Sequence, residues 1–182
     1  MNRRLTDFVQ VYDDVLSPDL CERITRLFDR SRVVRREMED VKSFDELVID
    51  GVPEWMQIHL TLEQLKEQAL GRYQSDCPGE FPDSWDFEAF RIKRYLADRG
   101  DEFRVHADGY NLSSAKRFLV CFWYLNDVAD GGETVFPRLG LRVRPKAGRL
   151  IMFPPFWMFD HAGLAPVSGP KYIISTYFLF AE

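Results

Sequence analysis

Tyr-Leu-Ala-Asp-Arg-Gly-Asp-Glu-Phe-Arg-Val-His-Ala-Asp, residues 95–108, closes on a His-x-Asp pair set in a strand-like segment. Side chains two apart on a strand project from one face, so His106 and Asp108 can hold one ion while Ala107 points away. Such pairs arise by chance in many chains. The meaning of this one depends on what the rest of the sequence supplies.

Around it, from Phe87 onward, the chain reads as short β segments separated by turns. The expected strands are Phe87–Leu96, Arg104–Asp108, Lys116–Asn126, Glu133–Phe136, Leu141–Arg144, Arg149–Phe153, Trp157–His161 and Lys171–Phe180, with Gly140, Gly148, Gly163 and Gly169 at the turns. So many short strands in about ninety residues suggest an antiparallel sandwich or barrel. The expected class is α+β, mainly β: a double-stranded β-helix (jelly roll, cupin-like) with N-terminal helices packed outside.

Those helices come from residues 1–86. Phe8–Val15 reads as a short strand running into Leu-Ser-Pro-Asp, where Ser17 is a natural N-cap and Pro18 suits the first helical position. Leu20, Ile24, Leu27 and Phe28 then recur at helical spacing, giving a helix over Pro18–Asp29. A second helix opens at Pro53 and runs to Tyr73 with Trp55, Ile58, Leu62, Leu65 and Ala69 on one side. Between them, residues 33–51 show no sustained period and read as a loop or weak strand, a candidate mobile segment. Arg32, Arg35 and Arg36 read as a solvated face balanced by Glu37, Glu39 and Asp40. His59, on the second helix with Trp55, Leu62 and Glu63 at helical spacing, reads as structural rather than as a ligand. No repeat or low-complexity linker divides the chain, so residues 1–182 are read as one domain, with N-terminal helical and strand elements in 1–86 and the jelly-roll core in 87–182.

Composition sets the class. The 182 residues are 46% hydrophobic and 14% aromatic, with 15 Phe, which suits a packed interior and excludes disorder. A formal charge of -5 offers no general footprint for nucleic acid or anionic membrane. Cys21, Cys77 and Cys121 are too few and too scattered for a disulfide framework. The N-terminal residues lack the apolar core of a signal peptide or anchor, so a reducing cytoplasm is the expected location.

The missing ligand is His161, which ends the expected Trp157–His161 segment. A jelly roll brings distant strands side by side. Two neutral imidazoles and one carboxylate on one face of a metal form the facial triad of non-haem Fe(II), which leaves positions open for a chelating co-substrate and O2. The competing reading is that His161 caps a turn and Asp108 is a surface carboxylate.

With these residues together, the chain resembles the prolyl-4-hydroxylase-type branch of the Fe(II)/2-oxoglutarate dioxygenases. The resemblance covers Phe87–Phe180 and extends to the opening Val-Tyr-Asp-Asp-Val-Leu-Ser-Pro. It rests on His106-x-Asp108, on His161 and on Lys171 ten residues beyond it. It implies Fe(II), 2-oxoglutarate and O2, with ascorbate as an accessory factor. It also implies that Lys171 receives the C5 carboxylate of 2-oxoglutarate, a buried anion that needs a counter-ion. Ile173 and Ser175 share the face of Lys171, which would set the Ser175 hydroxyl beside the same carboxylate. Tyr124 matches a family tyrosine that reaches that carboxylate, and Tyr95 matches one lining the co-substrate or substrate side. The alternatives are a strand-edge lysine, a core hydroxyl for Ser175, and core tyrosines with wet hydroxyls.

Gly131-Gly132-Glu133-Thr134-Val135-Phe136-Pro137 matches a further family signature, read as a tight turn into a strand, with Thr134 as a candidate pocket residue. Arg138, Arg142, Arg144, Lys146 and Arg149 read as an outward solvated face. The resemblance makes a prolyl group, peptidyl or free, or another amino acid the first substrate, so the expected partners are a peptide, a protein or a small amino acid. Residues 40–51 and 110–114 are the candidate lids. A nucleic-acid demethylase of the same superfamily and a non-catalytic metal-binding jelly-roll module are the competing functions, and oligomeric state is left open.

Overall fold

Arg117–Tyr124 is buried along nearly its whole length because both faces of the strand it forms are covered. Leu119, Cys121 and Trp123 point to a layer of helices, whereas Val120, Phe122 and Tyr124 point into the hollow of the sheet. A strand buried on both faces reads as a continuous apolar run, which is what this segment is.

The computed structural model describes residues 3–32 and 34–181. In chain order these form β1 (Gln10–Tyr12), α1 (Pro18–Arg30), β2 (Arg35–Glu39), β3 (Lys42–Val48), α2 (Met56–Asp76), β4 (Trp85–Phe87) and β5 (Arg91–Tyr95). There follow β6 (Phe103–His106), β7 (Arg117–Tyr124), β8 (Thr134–Phe136), β9 (Leu141–Val143), β10 (Leu150–Phe153), β11 (His161–Gly163) and β12 (Lys171–Phe180). The strand pairings are antiparallel, in the order β1-β10-β7-β12-β5-β3-β6-β11-β8-β9, with β2 beside β3 and β4 beside β12. The sheet curls into a half-barrel of jelly-roll type with two helices outside it.

The helices cover the convex face. Ser17 caps α1 by accepting from the Leu20 amide at 3.2 Å, and Cys21, Ile24 and Phe28 are buried against the sheet. Ile58, Leu62, Ala69, Leu70 and Tyr73 of α2 join them over Leu47, Ile92, Trp123, Ile174 and Phe178. Lys66, also on the buried side of α2, lays its ammonium 3.2 Å from the centre of the Phe87 ring and pairs with Glu67 at 3.0 Å. The three cysteines are buried and free.

Three expectations change. The segment read as a loop is, from residue 35, the hairpin β2–β3, and β3 lies inside the sheet between β5 and β6; Val33, where that segment was taken to begin, lies outside the described residues, as do Met1 and Asn2. Its period is hidden because one buried position carries a charge. Asp45 is 5% exposed and is held by Arg94 at 2.7 Å and Arg99 at 3.2 Å. Arg36 is likewise no freely solvated charge, since it clamps the fully buried Asp101 at 2.8 Å. Second, Phe87–Leu96 divides into β4 and β5. Third, Trp157–Phe159 is a 3-10 turn, closed by the Phe159 amide on the Phe156 carbonyl at 2.8 Å; His161 therefore begins a strand rather than ending one, and Gly163 lies in that strand and not in a turn.

Other expectations hold. The first helix ends at Arg30, the second extends to Asp76, and His59 is structural, bonded to Asp50 at 3.2 Å and edge-on to Phe90. Arg138, Arg142 and Arg149 face outward into pairs with Asp160, Glu133 and Asp13.

Candidate active site

His161 and His106 are directly opposed partners across β11 and β6, and this single register places the imidazole rings 4.4 Å apart, centre to centre. Asp108 lies just past the end of β6. Its loop is pinned by the Gly109 amide on the Pro155 carbonyl at 2.8 Å and by Arg117, which donates to the Asp108 carbonyl at 2.9 Å. One ligand atom from each of the three residues lies within 4.8 Å of the others.

The outer atoms of the triad are already committed, which aims the inner ones. The Nδ1 of His106 is 2.7 Å from the Arg104 carbonyl and that of His161 is 3.3 Å from the Phe159 carbonyl. An Nδ1–H donated to a carbonyl leaves the Nε2 lone pair free, the usual arrangement of a metal-binding histidine. Tyr177 donates to Oδ1 of Asp108 at 2.7 Å, and the other carboxylate oxygen is buried without a hydrogen-bond partner among the described residues. Two unprotonated nitrogens and one orphaned carboxylate oxygen suit a divalent cation of intermediate softness, with Fe(II) among those such a donor set takes.

The electrostatics agree. Burial, with His161 close by, pulls the pKa of His106 down from 6.5 to about 4, and burial also lowers that of His161. Burial opposes ionisation of Asp108, but the neighbouring imidazoles and the Tyr177 hydroxyl overcome it and hold the carboxyl low. The metal-free site thus presents neutral imidazoles beside a carboxylate. A consequence follows for stability. Between pH 6.5 and about 4 the unfolded chain protonates His106 and the folded chain does not, so the metal-free protein loses stability as pH falls through that window. Urea unfolding at pH 7 and pH 4.5 measures the loss, and His106→Gln reduces it.

From the triad a pocket runs inward. Its walls include Tyr95, Val120, Phe122, Tyr124, Thr134, Lys171, Ile173 and Ser175. Lys171 is 2% exposed, lies 4.2 Å from the centre of the Tyr95 ring and donates to the Leu164 carbonyl at 2.9 Å. Two of its three N–H donors have no hydrogen-bond acceptor among the described residues. Burial lowers its pKa to about 7, offset in part by Glu133. Gly132, at φ +76, lets the backbone pass beside the lysine stem, where a Cβ would sit 3.3 Å from Cδ. Gly131, at φ +75, leaves no room for a Cβ, which would stand 2.6 Å from the Ala165 carbonyl oxygen.

All seven residues singled out from the sequence line this one pocket: His106, Asp108, His161, Lys171, Tyr124, Ser175 and Tyr95. Ser175 shares the face of Lys171, four positions further along β12 or roughly 13 Å away. Its buried hydroxyl has no partner among the described residues, and Tyr177 is the next residue on that face. The Tyr124 hydroxyl is engaged with Thr134, at 2.6 Å to Oγ1, and with the Val143 carbonyl at 3.3 Å.

Sequence reasoning missed Tyr177, Arg117 and Glu88. Tyr177 was within reach, since the spacing that aligns residues 171, 173 and 175 continues to it. Glu88 was not, because its bidentate pairing with Arg117, at 2.5 and 2.9 Å, joins residues 29 apart. With its hydroxyl removed, Tyr177→Phe leaves Asp108 short of a donor and weakens metal binding about tenfold, as measured by Co(II) titration.

Comparison with known proteins agrees with the geometry. The model of the 2OG-Fe(II) oxygenase superfamily matches residues 90–179. A probable prolyl 4-hydroxylase 11 of Arabidopsis thaliana is 39% identical over 61 residues, a match spanning 30% of this chain and 21% of that protein's length. Among solved structures, a viral collagen prolyl hydroxylase from Paramecium Bursaria Chlorella virus-1, in its 2OG complex, superposes with a TM-score of 0.73 at 22% identity, covering 96% of this chain and 97% of the other. A Pseudomonas putida prolyl-4-hydroxylase superposes with a TM-score of 0.72 at 21% identity, covering 96% and 94%.

Proposed function

We propose that the chain, whose residues 90–179 match the 2OG-Fe(II) oxygenase superfamily, is an oxygenase of the prolyl-4-hydroxylase type that hydroxylates an unactivated C–H bond of a prolyl or other amino-acid substrate, converting 2-oxoglutarate to succinate and CO2. The observation that carries this reading is the coincidence, in one pocket, of a three-residue metal face and a buried lysine with donors to spare.

Each residue has a part. His106, His161 and Asp108 would hold Fe(II), and Lys171 would pair with the distal carboxylate of 2-oxoglutarate. Tyr95 would wall the co-substrate against solvent, and Tyr124 with Thr134 would close its inner end. The bound metal and co-substrate supply the oxidising chemistry from O2. The chain binds, orients and excludes water, which the apolar walls Val120, Phe122 and Ile173 are placed to do. No side chain needs to act as general acid or base. Ascorbate, as a reductant that keeps the metal ferrous, and a reducing cytoplasm are parts of the same proposal.

Anaerobic addition of Fe(II) and then 2-oxoglutarate tests it directly. The expected result is a visible charge-transfer band, followed in air by succinate release that a prolyl peptide or free proline accelerates. Failure to form the band at saturating Fe(II), with iron binding unaffected by His106→Ala, removes the reading.

A further inference from the structure

Outside the metal triad the pocket opens into a second cavity of about 350 Å³, large enough for an amino-acid side chain and its flanking groups. Its lining is charged: Glu37, Lys42, Glu46, Arg91, Lys93 and Arg117 surround the mouth. Most of these cations are answered by the chain itself. Lys42 pairs with Glu39 at 3.0 Å, Arg91 with Glu46 at 3.2 Å, and Arg117 with Glu88.

Lys93 is the exception. It is 7% exposed, on β5 two residues before Tyr95 and on the same inward face, and it lines both the inner pocket and the outer cavity. No described residue accepts a hydrogen bond from its ammonium or pairs with it. Glu46, its cross-strand partner, turns its carboxylate to Arg91 instead. Its ammonium stands 5.2 Å from the centre of the Phe44 ring, and the charges of Glu46 and Asp108 act on it only from beyond ion-pair distance. A buried ammonium without a partner is costly, and such a group persists where a ligand completes it.

We propose that Lys93 receives a carboxylate of the substrate, so that this oxygenase acts on an amino- or imino-acid substrate bearing an anionic group that reaches Lys93 from the outer cavity. The inference rests on the oxygenase reading above. The placement of Lys93 supports this: the residue lines both the inner pocket and the outer cavity, so an anionic group on a substrate seated in the outer cavity meets it beside the metal face. That group is the α-carboxylate of a free acid or an acidic side chain beside a peptidyl residue, and matched pairs of probes distinguish the two.

The test uses the full chain loaded anaerobically with Fe(II) and 2-oxoglutarate, with the charge-transfer band recorded first. Calorimetry then compares L-proline with L-prolinamide, and N-acetyl-Pro-Asp-amide with N-acetyl-Pro-Asn-amide. At least one acid is expected to bind about tenfold or more tightly than its amide twin, the difference a charge-assisted hydrogen bond commands. A preference within the first pair identifies a free acid, and within the second a peptide. Lys93→Met abolishes the preference, Lys93→Arg keeps most of it, and neither moves the affinity for 2-oxoglutarate by more than about twofold. Equal binding or no binding of acid and amide by the wild-type chain overturns the inference without recourse to a variant. So does a Lys93→Met chain that keeps the preference, or one that weakens 2-oxoglutarate binding tenfold, which would assign the lysine to the co-substrate. Absence of the initial band sinks the oxygenase reading, whereas a band without acid preference sinks only this one.

Discussion

Lys171→Met is expected to weaken 2-oxoglutarate binding about a hundredfold while making the ligand-free protein more stable. Both effects have one cause. Lys171 is 2% exposed and has a single backbone hydrogen bond, so its charge is desolvated with little return until an anion arrives. Methionine fills the same space without that cost, and exchanging a buried charge for a well-packed apolar group is often stabilising. With the lysine gone, the distal carboxylate of the co-substrate would be buried unpaired, a penalty of about 3 kcal/mol, or roughly a hundredfold in Kd. Calorimetric titration and thermal unfolding of the same sample read the two changes, which should run in opposite directions. A pH dependence accompanies them. Lys171 protonates near pH 7 in the free protein, and a bound carboxylate raises that pKa. Affinity is therefore full below pH 7 and falls as pH rises above it, a trend that Lys171→Met removes.

Asp108→Ala is expected to abolish turnover and to lower metal affinity by about a hundredfold or more, beyond the ten- to hundredfold typical of losing a group that only supports a ligand. The carboxylate is the sole anion of the triad, and the two imidazoles that remain present no charge to a divalent cation. The Tyr177 hydroxyl, which donates to Oδ1 at 2.7 Å, is left facing a cavity, and water can take the carboxylate's place there. The fold should survive, because Arg117 is anchored to the Asp108 carbonyl and to Glu88, not to the deleted side chain. Retained Fe(II) affinity in a folded Asp108→Ala protein would mean that the metal sits elsewhere.

The site was more legible than the fold that carries it. His106, Asp108, His161 and Lys171 could be picked out because metal and anion chemistry admit few residue types, and because strand spacing says which neighbours share a face. The hairpin of residues 35–48 was not legible, because its inward-facing Asp45 is stabilised by Arg94 and Arg99, residues some fifty positions away. Local periodicity registers such a position only as a charge. The 3-10 turn at Trp157–Phe159 was missed for a related reason. A short, unbroken apolar run has no period with which to distinguish a turn from a strand, and exposed Trp157 looks in sequence like a core residue.

Acting alone, the sequence determined the chemistry available to this protein: two imidazoles, a carboxylate, an inward lysine and the alternation that aims each of them. Only the tertiary structure decided how they meet. The His161–His106 register joins segments 55 residues apart, the Arg117–Glu88 pair braces Asp108, and the folding of β3 against β5 leaves Lys93 buried with its cross-strand glutamate turned away. The physical reason is that a side chain's face is set by bonds to its immediate neighbours, whereas its partner is set by which strands pair. That pairing is decided by burial summed over the whole sheet, to which no single stretch holds the answer.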